Sequence, residues 1–212
     1  MLSSDAVHRL SQFLKSRWAH ILSGGLLGLI YMFFAYAHLV GFLKSSNGAL
    51  LIFAISEAFV VAIYIFRSKP VSISVRAYDW LVAIIGTFSP LFFRPADWGV
   101  LPIANNLIML GAVIEIMSLL SLNYSFALVA AQRVIKTSWM YSVIRHPIYA
   151  SYFLILLGYV LSNSTLQNGF VYVVSMVFLY LRILSEEKHL SLDPLYREYK
   201  LKVPYKLIPY II

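Results

Sequence analysis

Residues 20–43 read HILSGGLLGLIYMFFAYAHLVGFL, without a single aspartate, glutamate, lysine or arginine. A helix needs about 20 predominantly apolar residues to cross the hydrocarbon core of a bilayer. This run therefore predicts a transmembrane helix near the N-terminus. Further apolar runs, some of them short, follow at residues 48–66, 78–93, 100–122, 147–161 and 169–184.

The composition of the whole chain also indicates a membrane protein. Of its 212 residues, 60% are hydrophobic and 12% are charged, whereas about 25% of the residues in a soluble domain are charged. A chain of this size cannot bury so much apolar surface in its own interior. The apolar runs are too long and too continuous for the alternating strands of a membrane β-barrel. The sequence therefore predicts an all-α integral membrane protein, a multi-pass helical bundle.

The positive charges predict how the chain crosses the membrane. The net charge is +8, and because no helix-turn-helix or zinc-finger pattern is present, no nucleic-acid partner is predicted. With six crossings and both termini inside, all of the 17 lysines and arginines except Lys44 and Arg94 lie on the inner side, as the positive-inside rule expects. A five-crossing alternative places Arg9, Lys15 and Arg17 outside. We therefore predict cytoplasmic termini, and the short chain suggests a prokaryotic inner membrane.

The polar parts of the chain indicate where its chemistry lies. Residues 123–146 and 185–212 both fall on the inner side and flank the last two apolar runs, which form a spanning or re-entrant hairpin. They are expected to meet there, so we divide the chain into N-terminal transmembrane helices, 1–122, and a C-terminal core, 123–212. Cysteine is absent, which excludes disulfides, thiolate metal sites and cysteine nucleophiles. The five histidines lack metal-ligand spacing, so no metal site is predicted.

The first candidate constellation is Arg145-His146-Pro147-Ile148-Tyr149. Because proline suits the first position of a helix, His146 is predicted at the helix entrance and Pro147 at that first position. Unpaired N–H groups and the positive end of the helix dipole favour an anion at this point, and Arg145 adds a formal charge. The alternative interpretation is a basic anchor at the lipid interface, with Tyr149 in the aromatic belt.

Two more constellations follow in the C-terminal part. Residues 182–190 read RILSEEKHL, in which Arg182 and Glu186 are four apart and can pair on one helix face. They lie at the edge of the membrane, where ionisable groups are candidates for function, although a helix end that becomes polar on reaching water is the alternative. Residues 196–212 predict a short polar helix and an apolar end, either an interfacial tail or a lid over a cofactor.

Taken in order, these pieces resemble the C-terminal core of the isoprenylcysteine carboxyl methyltransferase family, which is similar to the membrane phospholipid N-methyltransferases. The resemblance covers about residues 139–209 and is carried by Tyr141, Val143, Arg145, His146, Pro147, Tyr149, Arg182, Glu186, Glu187, Leu190, Tyr196, Tyr199, Val203, Pro204, Ile208 and Pro209. The sequence departs from the family pattern at Trp139 and Met140, where Gly-Pro is common, and at Ser151, where Gly is usual. The departures bear on the substrate more than on the cofactor.

The resemblance implies a methyltransferase that uses S-adenosylmethionine and acts on a lipophilic acceptor at the cytoplasmic face. It implies a cofactor pocket between the hairpin and the tail, formed by Arg145, His146, Pro147, Tyr149, Glu187, Leu190 and Tyr199. It also implies catalytic roles for Arg182 and Glu186. A carboxylate acceptor, such as an isoprenylcysteine, needs no base and suits Arg182, whereas a phospholipid amine, another lipid or a small thiol needs a base, for which Glu186 is the candidate.

Two other functions are compatible with parts of this pattern. A membrane reductase of the steroid or sterol type, using NADPH, shares the helical layout and a basic-Pro-Tyr motif near the C-terminus. A non-catalytic membrane protein such as a small transporter is the other alternative, although no broken helix or inverted repeat is seen. Glu57 and Glu115, within the apolar runs, are interpreted as structural polar contacts. Close packing, including a possible homodimer, is permitted by Gly24, Gly25 and Gly28.

Overall fold

The computed structural model describes residues 4–46, 48–94, 96, 98–122, 125 and 128–211. Within them, the α-helices are α1 Ser4–Lys15, α2 Arg17–Ser45, α3 Gly48–Phe66, α4 Ala77–Phe88, α5 Asn105–Leu122, α6 Pro147–Ser162, α7 Leu166–Leu190 and α8 Pro194–Lys202. Short 3-10 helices lie at Ser89–Phe92, Pro102–Ala104 and Trp139–Ser142. The strands β1 Ser72–Ile73 and β2 Ala131–Gln132 form an antiparallel pair.

The lengths and compositions of these helices confirm an all-α membrane protein. Those long and apolar enough to cross a bilayer are found over Arg17–Lys44, Asn105–Leu122 and Leu166–Leu190. Shorter apolar helices lie at Leu50–Phe66, Ala77–Phe92 and Pro147–Ser162, where the sequence also predicts membrane segments. The number of complete crossings and the cytoplasmic side of the termini stay predictions.

Two helix boundaries differ from those read from the sequence. Helix α5 begins at Asn105 rather than near residue 100, because Pro102 opens a 3-10 turn and disfavours the helical conformation for the residue before it. Helix α7 continues to Leu190 rather than ending at residue 184. Residues 185–190 therefore extend the rigid helix out of the apolar region instead of starting a separate tail.

The helices pack in pairs that cross the predicted division at residue 122. Helix α2 packs against α3 and α3 against α5, while α5 packs against α6 and α4 against α7. A Cβ atom at Gly24 would lie 2.8 Å from the carbonyl oxygen of Tyr64, so this glycine allows α2 and α3 to approach closely within one chain. The C-terminal core is thus supported on both sides by N-terminal helices.

The two carboxyl groups within the apolar helices, Glu57 and Glu115, have polar partners. The Glu57 Oε2 atom lies 2.8 Å from Nδ1 of His38 on the neighbouring helix. The hydroxyl of Ser56 donates to Glu115 Oε2 over 2.8 Å, and both residues are buried. These contacts agree with the interpretation of the two carboxyl groups as structural, since a polar group in an apolar interior needs a hydrogen-bond partner.

The α3–α4 loop (67–76), the α5–α6 stretch (128–146) and the tail after α7 (191–211) lie at the same end of the bundle, which we call the basic end. Helices α3, α5 and α7 finish there, and α4 and α6 start there. The β1–β2 pair joins the α3–α4 loop to the α5–α6 loop through Ser72 opposite Gln132. Gln132 donates to Asp193, the N-cap of α8, over 2.6 Å, and Ser72 Oγ lies 3.0 Å from Nε2 of His189. The two polar stretches therefore meet in space, as the sequence predicts.

Candidate functional site

The site starts at the entrance of α6. His146 is the N-cap residue of this helix and Pro147 is its first residue, which confirms the predicted helix start. The His146 side chain makes no capping bond; its Nε2 instead lies 3.0 Å from Glu187 Oε1 on α7. Pro147 is fully buried and sets the direction of the helix.

A buried ion pair joins the entrance of α6 to the end of α7. Arg145 Nε donates to Glu187 Oε1 over 2.6 Å, and Nη2 donates to Oε2 over 3.3 Å. The third guanidinium nitrogen, Nη1, donates to the carbonyl of Val203 over 2.7 Å. Glu187 also accepts a bond from Tyr196 and lies 3.6 Å from Lys200 Nζ. Arg145 and Glu187 thus bind each other rather than presenting free polar groups.

The C-terminal tail is fixed across this ion pair. The backbone N–H groups of Arg145 and His146 donate to the carbonyls of Tyr205 and Lys206, each over 2.9 Å. The Tyr199 hydroxyl donates to the carbonyl of Tyr141 over 2.7 Å. The tail therefore lies against the entrance of α6, while its role as a lid over a cofactor stays a prediction.

A second polar cluster lies on the same two helices, one position away from the ion pair. Glu186 Oε1 accepts hydrogen bonds from the Tyr149 hydroxyl and, over 3.3 Å, from Arg182 Nε. Arg182 Nη1 donates to Thr87 on α4 over 2.8 Å, and the guanidinium lies 5.3 Å from the centre of the Tyr149 ring. The predicted Arg182–Glu186 pair is confirmed, and Oε2 of Glu186 has no hydrogen-bond partner among the described residues.

These clusters border a pocket of about 130 Å³ at the basic end. Of the site residues predicted from the sequence, those that line it are Arg145, His146, Tyr149, Arg182, Glu186, Leu190 and Tyr199. Pro147 and Glu187 are not among its walls; they lie behind the lining residues and hold them in place. Most of the predicted site residues therefore line this one pocket, but the sequence does not separate the residues that face the pocket from the residues that support it.

Several lining residues were missed by the sequence analysis. Tyr152 lies one helical turn after Tyr149 on α6, and Arg133 and Lys136 come from the stretch between α5 and α6. The spacing of the two tyrosines was a usable signal, because residues three apart share a helix face. Arg133 was counted only as an inner-side charge, since nothing in its neighbours predicts that it is buried.

The phenols of the tail and of the preceding turn are neutral groups at physiological pH. Burial raises the pKa of Tyr141, Tyr196 and Tyr199 well above the usual range of a phenol. They are therefore hydrogen-bond donors and aromatic surfaces rather than bases. Among the pocket walls described, Glu186 is the carboxylate suited to accept a proton.

The 3-10 turn before Val143 bears the departure from the family pattern. Trp139 has a φ of +55°, a backbone conformation that residues other than glycine rarely adopt. At the position where the resembled family commonly has glycine, this chain thus has a left-handed backbone and a tryptophan that is 70% exposed.

Comparison with known proteins supports the same part of the chain. Residues 100–197 match the family model described as phospholipid methyltransferase, which confirms the resemblance to the membrane methyltransferases. The match starts before α5 and so reaches into the part that the sequence analysis assigned to the N-terminal helices. No curated protein matches the chain significantly. The match supports a membrane methyltransferase that acts on lipid-type substrates.

Proposed function

We propose that this chain is an integral-membrane methyltransferase of the isoprenylcysteine carboxyl and phospholipid methyltransferase type. It uses S-adenosylmethionine and methylates a lipophilic acceptor at the cytoplasmic face, with a phospholipid amine as the favoured acceptor. The main support for the proposal is the position of Glu186: it lines the pocket, and hydrogen bonds from Tyr149 and Arg182 orient its carboxylate. The phospholipid methyltransferase match over residues 100–197 supports it.

The residues of the pocket suit this cofactor. S-adenosylmethionine supplies an electrophilic methyl group, and it carries a sulfonium cation, an amino-acid end and an adenine ring. Tyrosine rings attract cations and provide surfaces on which bases stack; Tyr141, Tyr152 and Tyr199 are such walls. Lys136 and the N-terminal end of α6 suit a carboxylate. The pocket therefore offers a partner for each part of the molecule.

The chain's own groups also suit an amine acceptor. An ammonium group must lose a proton before its nitrogen can act as a nucleophile, and Glu186 Oε2 is positioned to receive that proton. The bonds from Tyr149 and Arg182 to Oε1 fix the orientation of the carboxylate. Tyr199 of the tail lines the pocket, and the tail is fixed through Arg145 and His146, so we expect it to limit the access of water.

Ligand binding by the detergent-purified protein is the first test. A ligand present at 100 times its Kd stabilises the folded state by about 2.7 kcal/mol, which raises the melting temperature. We expect S-adenosylhomocysteine to give this shift and NADPH to give none. A shift with NADPH alone would favour the reductase, and no shift with either would favour a non-enzymatic role.

Methyl transfer is the second test. The protein in vesicles receives S-adenosylmethionine with a labelled methyl group and one acceptor at a time: phosphatidylethanolamine, an isoprenylated cysteine, or a small thiol. We expect label in the phospholipid. Label in the isoprenylated cysteine would keep the methyltransferase and change its acceptor, whereas no label in any of them would contradict the proposal.

A further inference from the structure

A second cavity lies at the basic end, at the periphery of the bundle next to α1 and α2. Its volume is about 360 Å³, and apolar side chains of α1 and α2 form much of its wall, among them Phe13, Leu22 and Leu26. Leu22 and Leu26 are 66% and 62% exposed, so this wall continues onto the surface that faces lipid. Its polar walls include His20, Ser23, Arg67 and Arg133.

The two arginines of this cavity are buried without a carboxylate partner. Arg67 is 9% exposed and Arg133 is 8% exposed, and no ion pair is described for either among the residues that the structure covers. Arg67 Nη2 donates to Ser23 over 2.6 Å, but its Nε has no described partner, and neither have Nε and Nη1 of Arg133. A buried donor without an acceptor, and above all a buried charge, costs free energy.

The two guanidinium groups also act on each other. Burial lowers the pKa of Arg67, and burial together with the charge of Arg67 lowers the pKa of Arg133 to about 10. Both groups remain cationic at neutral pH. Two like charges with unused N–H donors, both lining one largely apolar cavity, form a site whose charge an anion would neutralise.

Arg133 also connects this cavity to the pocket that holds Glu186. It lines both of them, as do Val129 and Ala131 on the same stretch of chain. A ligand held at Arg133 is therefore next to the candidate active site. Its apolar part lies against α1 and α2, while a polar extension can enter the pocket.

We infer that Arg67 and Arg133 bind the phosphate of a glycerophospholipid whose acyl chains lie against α1 and α2 and whose headgroup amine extends toward Glu186. This inference rests on the proposed function and adds to it a site that selects the acceptor by its phosphate. A guanidinium binds phosphate oxygens through paired N–H donors, which matches the free donors of these side chains. The apolar wall, open to lipid, matches the acyl chains rather than a free phosphate ion.

The test measures lipid binding rather than turnover. Detergent-purified protein is titrated with dioleoyl phosphatidylethanolamine, with dioleoylglycerol, which has the same chains without phosphate, and with inorganic phosphate, and bound lipid is counted by native mass spectrometry. The variants are Arg67→Gln and Arg133→Gln, with Lys69→Gln as the matched control because Lys69 is an exposed cation two residues from Arg67. A charge-conserving Arg133→Lys variant completes the set.

We expect each glutamine variant to bind the phospholipid at least tenfold more weakly, with dioleoylglycerol binding unchanged and Lys69→Gln like the wild type. Arg133→Lys should recover part of the loss. Equal binding of the two lipids, or unchanged binding in both glutamine variants, would overturn the inference. Binding of inorganic phosphate as tight as that of the phospholipid would also overturn it, in favour of a free-anion site.

The same samples separate this inference from the proposed function. The thermal shift by S-adenosylhomocysteine should survive in the Arg67→Gln variant, because Arg67 does not line the pocket that holds Glu186. Phosphate-dependent lipid binding without any cofactor shift would contradict the methyltransferase but not the phosphate site. A thermal shift by the cofactor product, together with lipid binding that does not depend on the phosphate, would contradict the phosphate site but not the methyltransferase.

Discussion

Two clusters of buried arginines at the basic end, Arg145 with Glu187 and Arg67 with Arg133, differ in how many of their guanidinium N–H groups are hydrogen-bonded. All three guanidinium nitrogens of Arg145 donate hydrogen bonds, two to Glu187 and one to the carbonyl of Val203. Arg67 and Arg133 are about as buried, yet they retain N–H groups without a described acceptor. A saturated buried ion pair fixes the fold, whereas an unsaturated pair of like charges is suited to a ligand. Arg145 therefore joins α7 to the tail, and its side chain also lines the pocket.

Breaking the saturated cluster should have the largest effect. Glu187→Ala leaves Arg145 buried without its carboxylate, so we expect a loss of about 3–5 kcal/mol in the free energy of unfolding. Thermal unfolding in detergent measures this loss. Glu198→Ala is the control, because Glu198 is exposed on α8. An unchanged melting temperature for Glu187→Ala would show that the pair does not hold the tail in place.

The cluster around Glu186 should matter for turnover rather than for stability. We expect Glu186→Gln to reduce methyl transfer about 10²–10⁴-fold, the usual contribution of a positioned general base. Arg182→Ala should likewise abolish turnover, because the orientation of Glu186 is lost with it. Initial rates in vesicles measure both variants. Full activity in both, with S-adenosylhomocysteine still bound, would remove these residues from the chemistry.

The unsaturated cluster should respond in the opposite direction to the ion pair. Arg133→Met removes an unpaired buried charge and its repulsion with Arg67, so we expect the ligand-free protein to gain about 1–3 kcal/mol of stability. The matched variant Arg145→Met should lose stability, because it leaves Glu187 without its main partner. Both are compared by thermal unfolding after lipid is removed. Destabilisation by Arg133→Met would show that Arg133, like Arg145, stabilises the folded protein, and would contradict the difference proposed between the two clusters.

The smallest effect should come from the link between the tail and the preceding turn. Tyr199→Phe removes the hydroxyl that donates to the carbonyl of Tyr141, at a cost of about 1 kcal/mol. Tyr210→Phe is the control, since Tyr210 is 87% exposed. Hydrogen exchange of residues 199–206 measures local opening of the tail. Equal exchange in both variants would show that this hydrogen bond does not help to hold the tail.

The membrane class, the approximate positions of the apolar helices and the start of α6 could be predicted from the sequence alone. These follow from local chemistry: long apolar runs need lipid, and proline sets a helix start. The Arg182–Glu186 contact was equally readable, because a spacing of four places both side chains on one helix face.

Which residues face the pocket and which support it depends on how the helices pack, and this could not be read from the sequence. Glu186 and Glu187 are adjacent in the chain, but the turn of the helix directs one to the pocket and the other to Arg145. The burial of Arg67 and Arg133 together is set by segments far apart in the chain, joined by the β1–β2 pair. Such contacts depend on how α2, α3 and the loops pack, and no local pattern encodes that packing.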